Sequence, residues 1–371
     1  MLSDSRESAD PGKVLKRVFE QEGRRLGNIK SAREFDLTAQ PRRMYLRSEF
    51  EELSRLAARY VITGIPTHVV VHGSRGSGKT VTVSSLASEL EASLGGVFTY
   101  YVNLREERGL IGVYERITGE GGRGFGRGEL NRRLAGRLAS GRSFVVLDEA
   151  DFLYDEVLLY LLARETRSMV LLITQNAHFM DRLSPSVLSS LQPVAVHFPN
   201  YDAEQLYQIL KLRAEDGLNH YDEGGIRHIA ALTVSEHGAD ARIAIRALYH
   251  VGVADAWGPG DVRLALTQAA RDVEGLILTN LPLRDLAILI VSIEAHDTIQ
   301  AYRDAAELLA KTGDTISKPT YFRTLTHLQN LGLVTLVKKK ATRAYTIEVQ
   351  SLLKNPEAAR AELQRRLTEA A

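Results

Sequence analysis

The sequence predicts an α/β fold in which a parallel sheet is covered by helices on both faces, followed by an all-helical region and a small C-terminal domain. Two observations predict it. In the first 200 residues, five apolar runs typical of buried strands alternate with helical patterns. The first run leads through a glycine-rich loop into a long amphipathic helix, and beyond residue 202 helical periodicity replaces the strand pattern.

Length and composition limit the possible functions. The chain has 371 residues, 44% of them apolar and 25% charged, as in globular proteins of about two or three domains. Because the net charge is only +1, nucleic-acid binding has to be argued from local clusters of basic residues. The absence of cysteine excludes disulfides, thiolate metal sites and cysteine nucleophiles. No apolar run reaches the length of about 18 residues that spans a membrane, so we expect a soluble protein without a membrane partner.

The N-terminal region divides near residue 36. Residues 1–35 are polar and rich in charge, and we expect them to form a flexible arm. A helical pattern then runs through residues 45–63 and stops at Gly64 and Pro66, since glycine and proline end helices. This helix leads directly into the first strand, so we expect the first domain to begin near residue 36.

The predicted sheet lies within residues 36–200. Its strands are expected at residues 68–71, 97–104, 143–149, 169–174 and 194–198. Helices are expected at residues 80–90, 111–117 and 129–139, and a segment with six glycines joins the last two. Ligands of such sheets bind beyond the carboxyl ends of the strands, where the glycine-rich loop and the polar residues after the strands would meet.

Helices dominate the rest of the chain. They are expected at residues 203–215, 224–234, 239–256 and 262–276, which together form a helical domain over residues 201–277. The third domain, residues 278–371, combines helices at 283–294, 298–311 and 318–331, strands at 332–337 and 344–349, a turn at 338–342, and a terminal helix at 356–367. Three helices followed by a hairpin describe a winged helix-turn-helix.

Residues 73–80 match the pattern G-x-x-x-x-G-K-[ST] of a phosphate-binding loop, and they lie between a strand and a helix as that motif requires. The N–H groups of such a loop and of the helix N-terminus bind phosphate. We therefore predict a site for ATP or ADP in which Lys79 reaches the β- and γ-phosphates and the Thr80 hydroxyl holds Mg²⁺. A glycine-rich turn without a ligand is the alternative. The predicted cofactor-binding residues are Gly73, Ser74, Arg75, Gly76, Ser77, Gly78, Lys79 and Thr80.

Polar residues elsewhere complete the predicted site, and with Lys79 they form its catalytic set. Asp148 and Glu149 end the third strand; Asp148 would bind the metal through its water shell, and Glu149 would orient and deprotonate the attacking water. Asn176 follows the fourth strand and would hold the same water or the γ-phosphate, unless its amide only bonds its own turn. Arg242 begins a helix of the second domain and would contact the γ-phosphate, unless it is an ordinary solvated arginine.

One stretch of the C-terminal domain carries basic residues without acids. Between residues 317 and 347 there are six lysines and arginines and no acidic residue, which is an electrostatic footprint for phosphate. The predicted DNA-binding residues of the third helix are Lys318, Thr320, Tyr321, Arg323 and Thr324, with His327 beside them, and those of the hairpin are Lys338, Lys339, Lys340 and Arg343. The expected core positions of the helix are Phe322, Leu325, Leu328 and Leu331. A solvated turn or a protein-binding winged helix is the alternative.

This combination of motifs resembles the archaeal initiator ATPases of the AAA+ class, the counterparts of the origin recognition complex subunits and the related helicase-loading factor. The resemblance extends over residues 42–349. Residues 73–80 resemble the Walker A loop of that family, 145–151 its Walker B strand, 173–176 its sensor 1 strand, and 238–242 its sensor 2 helix with Arg242 as the sensor arginine. It implies a AAA+ phosphate-loop domain with a helical lid and a winged-helix domain.

One segment departs from the family pattern. Residues 183–191 resemble the stretch that usually carries an intermolecular arginine finger, but Ser186 and Leu188 stand where basic residues are common. Arg182 is the nearest substitute. Because such an arginine is worth about 10³ to 10⁵ in rate, its loss implies slow hydrolysis.

Another segment resembles the helical insertion that distinguishes initiators from other AAA+ proteins, and it lies near residues 106–139. Its glycine-rich tip would touch DNA through Arg123, Phe125 and Arg127, because two arginines and an exposed aromatic ring suit contact with phosphate. A disordered surface loop is the alternative.

Residues and resemblance together predict an ATP-dependent initiator of DNA replication in the cytoplasm, associated with the nucleoid. Its partner would be duplex origin DNA and, by the resemblance, other initiator subunits and the replicative helicase; its cofactors would be ATP or ADP and Mg²⁺. Slow hydrolysis would switch its conformation for origin opening or helicase loading. Two alternative functions stay open: a nucleotide-gated transcription regulator, and a non-catalytic DNA-binding protein that holds ADP permanently. The adenine pocket has only positional candidates, at residues 45–47 and near Tyr207.

Overall fold

In a computed structural model of the chain, the described residues are 11–107, 109–153, 155–295, 298–340 and 345–370. They form two compact units. The first unit combines the described residues up to Tyr45 with Tyr201–Val273, and the second combines Leu46–Asn200 with the described residues from Glu274 onwards.

The elements of the described residues are named here in chain order. The helices are α1 (Pro11–Arg25), α2 (Ser48–Thr63), α3 (Lys79–Ser93), α4 (Gly109–Thr118), α5 (Arg127–Leu138), α6 (Val157–Arg164), α7 (Pro185–Leu191), α8 (Ala203–Gly217), α9 (Glu223–Glu236), α10 (Ala241–Ala254), α11 (Pro259–Asn280), α12 (Leu283–Glu294), α13 (Thr298–Ala310), α14 (Lys318–Asn330) and α15 (Pro356–Ala370). The strands are β1 (Val69–Gly73), β2 (Val97–Asn103), β3 (Arg142–Asp148), β4 (Met169–Thr174), β5 (Val194–Phe198), β6 (Val334–Lys340) and β7 (Tyr345–Ser351). Short 3₁₀ turns lie at Ala32–Phe35, Ala150–Phe152 and Met180–Arg182.

The first five strands form one parallel sheet in the order β2-β3-β4-β1-β5. This confirms the predicted α/β class, and every strand predicted for the sheet is present. His72 pairs with Thr174 on β4, and Asn103 pairs with Asp148 on β3. The carboxyl ends of β1, β3 and β4 therefore meet at one edge, which is where ligands of such sheets bind.

Successive side chains of the sheet enter two cores, one on each face. Val70 and Leu147 pack with α4, α5, α6 and α7, whereas Val71 and Val146 pack with α2 and α3. Both faces are covered, so the inner strands β3 and β4 are buried almost along their whole length rather than at every second position. The helices of the predicted insertion are thus part of the core of this unit.

The helical unit contains α8, α9, α10 and part of α11, and residues 28–37 pack into it. Phe35 is buried in its core, and the Asn28 side chain donates to the carbonyls of His220 and Gly252 at 3.1 Å each. The flexible arm expected over residues 1–35 therefore differs from the structure in its last part. The reason is that one aromatic ring and one amide of this polar segment find buried partners in distant helices.

A third group of elements, α12 to α15 with β6 and β7, forms a winged helix around its own core, as predicted. The antiparallel pair of β6 and β7 extends to Lys340 opposite Tyr345, so residues 338–340 continue the strand where a turn was expected. Residues 341–344, which include Arg343, lie outside the described residues.

Two helices between β3 and β5 were not predicted. Helix α6 buries Leu158, Leu159 and Leu161 within about one turn. Because its sequence is apolar on almost every side, it lacks the alternation of apolar and polar residues by which a helix is recognised. Helix α7 is only 7 residues long. Among the described residues, no helix combines the length and apolar composition needed to cross a bilayer.

Candidate functional site

The phosphate-binding loop joins β1 to α3 and depends on its glycines. Gly76 and Gly78 have left-handed φ angles of 71° and 85°, which other residues rarely adopt. A β-carbon at Gly73 would lie 2.3 Å from the carbonyl oxygen of Phe198 on β5. Because α3 begins at Lys79, the N–H groups of its first turn point to the loop, an arrangement that favours anions.

Lys79 lies inside this loop. Its side chain is buried, and Nζ donates to the carbonyl oxygens of Gly73 at 2.8 Å and Ser74 at 2.7 Å. The Ser77 hydroxyl also donates to the Ser74 carbonyl, at 2.9 Å. The Lys79 ammonium group is therefore bound to the backbone of the same loop that would bind the phosphates.

Three side chains from three elements meet beside the loop. Thr80, at the start of α3, donates its hydroxyl hydrogen bond to Asp148 Oδ2 at 3.0 Å. Tyr101 on β2 donates to the same oxygen, while Asp148 Oδ1 accepts the N–H of Glu149 at 2.7 Å. Burial, together with the Asp148 carboxylate, raises the pKa of Tyr101, so the phenol keeps its proton and acts as a donor. The Thr80 and Asp148 oxygens are hard ligands of the kind that Mg²⁺ prefers.

Glu149 follows Asp148 in an unusual backbone conformation. Its φ angle is 52°, in the left-handed region, where a glutamate is strained. Burial raises the pKa of Glu149; the guanidinium of Arg105 opposes this effect, and the Asp148 carboxylate adds to it. A partly buried carboxylate with a raised pKa is a stronger base than an exposed one.

Asn176 lies at the same edge of the sheet, just after β4. Its N–H donates to the Thr174 hydroxyl at 3.0 Å, and its side-chain oxygen accepts the N–H of His178 at 2.9 Å. The amide oxygen thus bonds its own turn, the alternative that the sequence left open.

Helix α14 of the winged helix presents part of the predicted DNA-binding set to solvent. Lys318 and Arg323 are exposed, and Thr320 is half-buried beside the N-cap residue Ser317. The backbone of Lys338–Lys340 lies on β6, but their side chains are outside the described part of the structure.

Two predictions for α14 were wrong. Tyr321 is fully buried, with its hydroxyl 2.9 Å from that of Ser292 on α12, and Thr324 is buried as well. Phe322, which was expected in the core, is 37% exposed. The buried stripe of the helix therefore begins at Tyr321 and not at Phe322, because Tyr321 packs on α12. His327 is also turned inward, and its ring lies edge-on to Phe152 at 4.5 Å.

Comparisons with known proteins decide the family. A family model described as "AAA domain" matches residues 65–183. The ORC1-type DNA replication protein 3 of Sulfurisphaera tokodaii is 32% identical over 279 residues, which cover 68% of this chain and 72% of that relative. The chain belongs to the archaeal ORC1-type DNA replication proteins. A second such relative, ORC1-type DNA replication protein 1 of Aeropyrum pernix, is 30% identical over 329 residues, covering 79% of this chain and 82% of the relative.

Solved structures agree with this membership. The structure of the Aeropyrum pernix ORC1 protein in complex with DNA matches with a TM-score of 0.69 and 27% identity, covering 92% of this chain and 97% of that one. The predicted resemblance to archaeal initiators of the AAA+ class is confirmed, and so is the fold class with its C-terminal winged helix.

At the insertion tip of this ORC1-type protein, the three predicted DNA-binding residues differ in exposure and in their contacts. Arg123 is exposed, and Phe125 is 38% exposed beneath the Arg133 guanidinium, which lies 4.4 Å from the ring centre. Arg127 starts α5 and forms an ion pair with Asp155 at 2.6 Å. Arg123 and Phe125 thus remain accessible, whereas Arg127 already has an acidic partner.

Three further arginines of the ORC1-type chain bear on the predicted machinery. Arg242 is the second residue of α10 and pairs with the N-cap residue Asp240, with Nε 2.9 Å from Oδ1. Arg182 lies 4.0 Å from Asp151 of its own chain. Arg75 keeps its backbone in the phosphate loop, while its guanidinium donates to the Leu331 carbonyl at 3.1 Å.

Arg47 has a role at the site that the sequence did not reveal, although residues 45–47 were positional candidates for the adenine pocket. It is the N-cap residue of α2, and it is buried in a bidentate pair with Glu49 at 2.8 and 2.9 Å. Its Nη1 donates to the Ser77 carbonyl of the phosphate loop at 2.6 Å, and its guanidinium lies 4.9 Å from the centre of the Phe198 ring. Arg47 therefore supports the loop from outside, and only its place before a helical pattern marked it in the sequence.

Proposed function

We propose that this ORC1-type protein is an ATP-dependent replication initiator that binds duplex origin DNA and uses slow hydrolysis as a conformational switch for origin opening or helicase loading. The observation that carries the proposal is the meeting of Thr80, Tyr101 and Asp148 beside a complete phosphate loop. In the same chain, residues 317–347 of the winged helix include six lysines and arginines and no acid. The related Aeropyrum ORC1 protein, solved in complex with DNA, supports the DNA-binding part.

The proposed cofactor is ATP or ADP with Mg²⁺. The backbone of residues 73–80 and the N-terminus of α3 would bind the phosphates, and Lys79 would exchange its loop carbonyls for the β- and γ-phosphate oxygens. Thr80 and Asp148 would hold Mg²⁺, and their paired oxygens fit a hard cation. The metal would neutralise charge that develops on the phosphates during transfer.

Glu149 is the proposed general base. The raised pKa that burial gives its carboxyl suits the task of removing a proton from water. Asn176 and Arg242 complete the proposed set as the sensor residues, with the Asn176 side chain turning from its own loop towards the γ-phosphate when nucleotide binds.

DNA would be bound at two places. Lys318, Thr320 and Arg323 occupy the first two turns of α14, the end of a recognition helix that enters the major groove. The wing would add contacts to the backbone through Lys338, Lys339, Lys340 and Arg343. Arg123 and Phe125 at the insertion tip would touch the duplex at a second point.

Turnover is proposed to be slow. Ser186 and Leu188 replace the basic residues of the finger segment, and Arg182 faces Asp151 of its own chain. Without an arginine from a neighbour, the reaction lacks a contribution of about 10³ to 10⁵ in rate. Other initiator subunits and the helicase are proposed as partners. The proposed domains are residues 36–200, 201–277 and 278–371, and the end of the preceding segment packs into the helical unit.

A footprint of chromosomal fragments with and without ATP tests this function. We expect protection of repeated elements at a replication origin, with a pattern that depends on the nucleotide. Protection of promoters alone would favour a transcription regulator, and failure to retain any adenine nucleotide would remove the ATP-dependent part.

The missing finger also favours a second function, a DNA-binding protein that holds ADP without catalysis. Single-turnover hydrolysis by the purified protein separates the two. Conversion of bound ATP to ADP supports the switch, and ATP that stays intact over hours supports the static protein.

A further inference from the structure

Asp151 makes contacts that the proposed roles of Asp148 and Glu149 do not explain. It lies in the 3₁₀ turn Ala150–Phe152 that follows β3, and its carboxylate faces the end of β4. Oδ2 accepts two hydrogen bonds, from the Thr174 hydroxyl at 2.8 Å and from the N–H of Gln175 at 3.0 Å. One oxygen thus binds both a side chain and the backbone of the neighbouring strand end.

These bonds lie where the sheet itself no longer supports β4 on that side. The pairing of β3 with β4 ends at Leu147 and Leu172, two residues before Thr174. Beyond this point, the Asp151 carboxylate takes the place of the missing backbone partner. A hydrogen bond to a charged acceptor is about twice as strong as one between neutral groups, so the replacement holds the strand end firmly.

Thr174 passes this constraint on to Asn176. The Thr174 hydroxyl donates to Asp151 and at the same time accepts the N–H of Asn176 at 3.0 Å. Thr174 is 1% exposed, so water does not compete for these bonds. A continuous chain of hydrogen bonds therefore connects the turn after Glu149 with the turn that carries the Asn176 amide.

The other carboxylate oxygen is arranged differently. Asp151 Oδ1 is buried and accepts no hydrogen bond from the described residues, and it faces the Arg182 guanidinium at 4.0 Å. A neutral side chain could form the same bonds to β4 without the cost of burying a charge. The charge of Asp151 therefore makes its bonds to β4 stronger than those of a neutral acceptor.

We propose that Asp151 is a positioning residue: through Thr174 it fixes the Asn176 turn relative to the strand that carries Asp148 and Glu149, so that base and sensor amide face the γ-phosphate together. The inference rests on the proposed function, since it concerns the hydrolysis of ATP at the same site.

The test measures ATP affinity and single-turnover hydrolysis separately in the full-length protein. Thr174→Val removes the hydroxyl at nearly constant shape, Asp151→Asn removes the charge, and Thr174→Ser keeps the hydroxyl. We expect the first two variants to lose about 10²-fold in hydrolysis, the size of effect that a small misplacement produces. ATP affinity should stay within about twofold of the unmodified protein, and Thr174→Ser should be close to it in both respects.

Thr166 offers a matched control at the opposite end of β4. Its buried hydroxyl donates to the Leu162 carbonyl at 2.6 Å and accepts the N–H of Ser168 at 3.3 Å, the same pattern without Asp151. Thr166→Val should lower stability but leave hydrolysis unchanged. An equal loss of hydrolysis in Thr166→Val would show that any damage to β4 suffices and would overturn the inference.

A background variant separates positioning from a general structural effect. In Asn176→Ala, Thr174→Val should cause no further loss, because both changes act through the same amide. Additive losses, or full activity in Asn176→Ala, would overturn the inference while leaving the ATPase itself intact. If the unmodified protein binds ATP but never hydrolyses it, the hydrolytic part of the proposed function fails first, and the inference fails with it.

Discussion

Arg47 shows how a single buried charge can determine the shape of a ligand-binding loop. Its guanidinium binds the Glu49 carboxylate and the Ser77 carbonyl at once, and Arg47→Ala would remove the only charged partner that the described residues give the Glu49 carboxylate. Removal of one member of a buried ion pair costs about 3–5 kcal/mol, and we expect a loss of that order in the free energy of unfolding, measured with urea. Arg47→Lys should lie in between, because lysine keeps the charge but not the bidentate geometry.

The stability contributed by the Arg47–Glu49 ion pair should depend on pH. Although burial opposes it, the hydrogen bonds from Arg47 lower the pKa of Glu49 below its usual 4.5. Stability from a carboxylate with a lowered pKa is present above the unfolded pKa and is lost as the pH falls, so the difference between Arg47→Ala and the unmodified protein should shrink below about pH 4.5. Arg55→Ala, which breaks an exposed pair with Glu51, is the control and should change stability little.

Glu149 gives a prediction for the chemical step alone. Glu149→Gln keeps the size of the side chain but removes the base, so ATP should still bind while single-turnover hydrolysis falls by about 10² to 10⁴. Glu89→Gln, on the exposed side of α3, is the control and should behave like the unmodified protein. Hydrolysis by Glu149→Gln at the normal rate would exclude Glu149 as the base.

Helix α14 illustrates what a helical period can and cannot determine. Leu325, Leu328 and Leu331 were predicted for the core and are buried. Two aromatic residues, Tyr321 and Phe322, stand next to each other at the start of this stripe, and either one continues it at an acceptable spacing. The Ser292 hydroxyl on α12 decides between them, because a buried phenol needs a hydrogen-bond partner and a phenylalanine does not.

The two aromatic residues of α14 should therefore differ in their effect on stability. Tyr321→Ala empties a fully buried position and should cost about 3–5 kcal/mol in the free energy of unfolding. Phe322→Ala, at a surface position, should stay within about 0.5 kcal/mol of the unmodified protein. Thermal or urea unfolding measures both losses. A larger loss in Phe322→Ala than in Tyr321→Ala would mean that Phe322 is the core residue, as the sequence predicted.

The exposed start of α14 leads to a prediction for DNA binding. Lys318→Ala and Arg323→Ala should each weaken binding by a similar factor for all sequences and should lower the slope of log affinity against log salt by about 1. Lys311→Ala, at the residue that follows helix α13, is the control because it removes the same charge, and it should leave the slope as it is. Loss of affinity for one sequence only would mean that these residues read bases and do not merely contact phosphates.

Local patterns predicted the strands, the phosphate loop and the acids after β3, because each of these signals lies within a few neighbouring residues. The contacts of Arg47, Tyr101 and Asp151 could not be predicted in this way. Each of them joins segments that are far apart in sequence, such as Arg47 with the Pro199 carbonyl or Tyr101 with Asp148. Nothing in the local composition marks one arginine, tyrosine or aspartate as the partner of a distant strand end.

The winged helix and the nucleotide-binding sheet are directly connected within one unit of the molecule. Arg75 in the phosphate loop donates to the Leu331 carbonyl at the C-terminal end of α14, where the helix dipole favours a cation. His327, one turn earlier on α14, packs edge-on against Phe152 in the turn after Glu149. The helix that starts with the residues proposed to bind DNA therefore ends on the two segments that would surround the γ-phosphate.

The pKa of His327 is sensitive to its contact with Phe152. Burial lowers the pKa of His327 to about 4, and the nearby guanidinium groups of Arg105 and Arg75 act in the same direction. Since the ordinary value is 6.5, the imidazole is neutral in the contact at neutral pH. The stability that this neutral ring contributes is complete above about pH 6.5 and is lost progressively as the pH falls towards 4.

Opening of the contact should therefore be visible as a rise in the pKa of His327. In Phe152→Ala the ring loses its cover, and we expect its pKa to move from about 4 towards 6.5 in an NMR titration of the imidazole signals, with His327→Gln used to assign the resonance. His68, whose pKa burial also lowers to about 4, accepts the N–H of Val170 within the sheet and should not respond. An unchanged pKa of His327 in Phe152→Ala would show that its burial does not depend on the turn after Glu149.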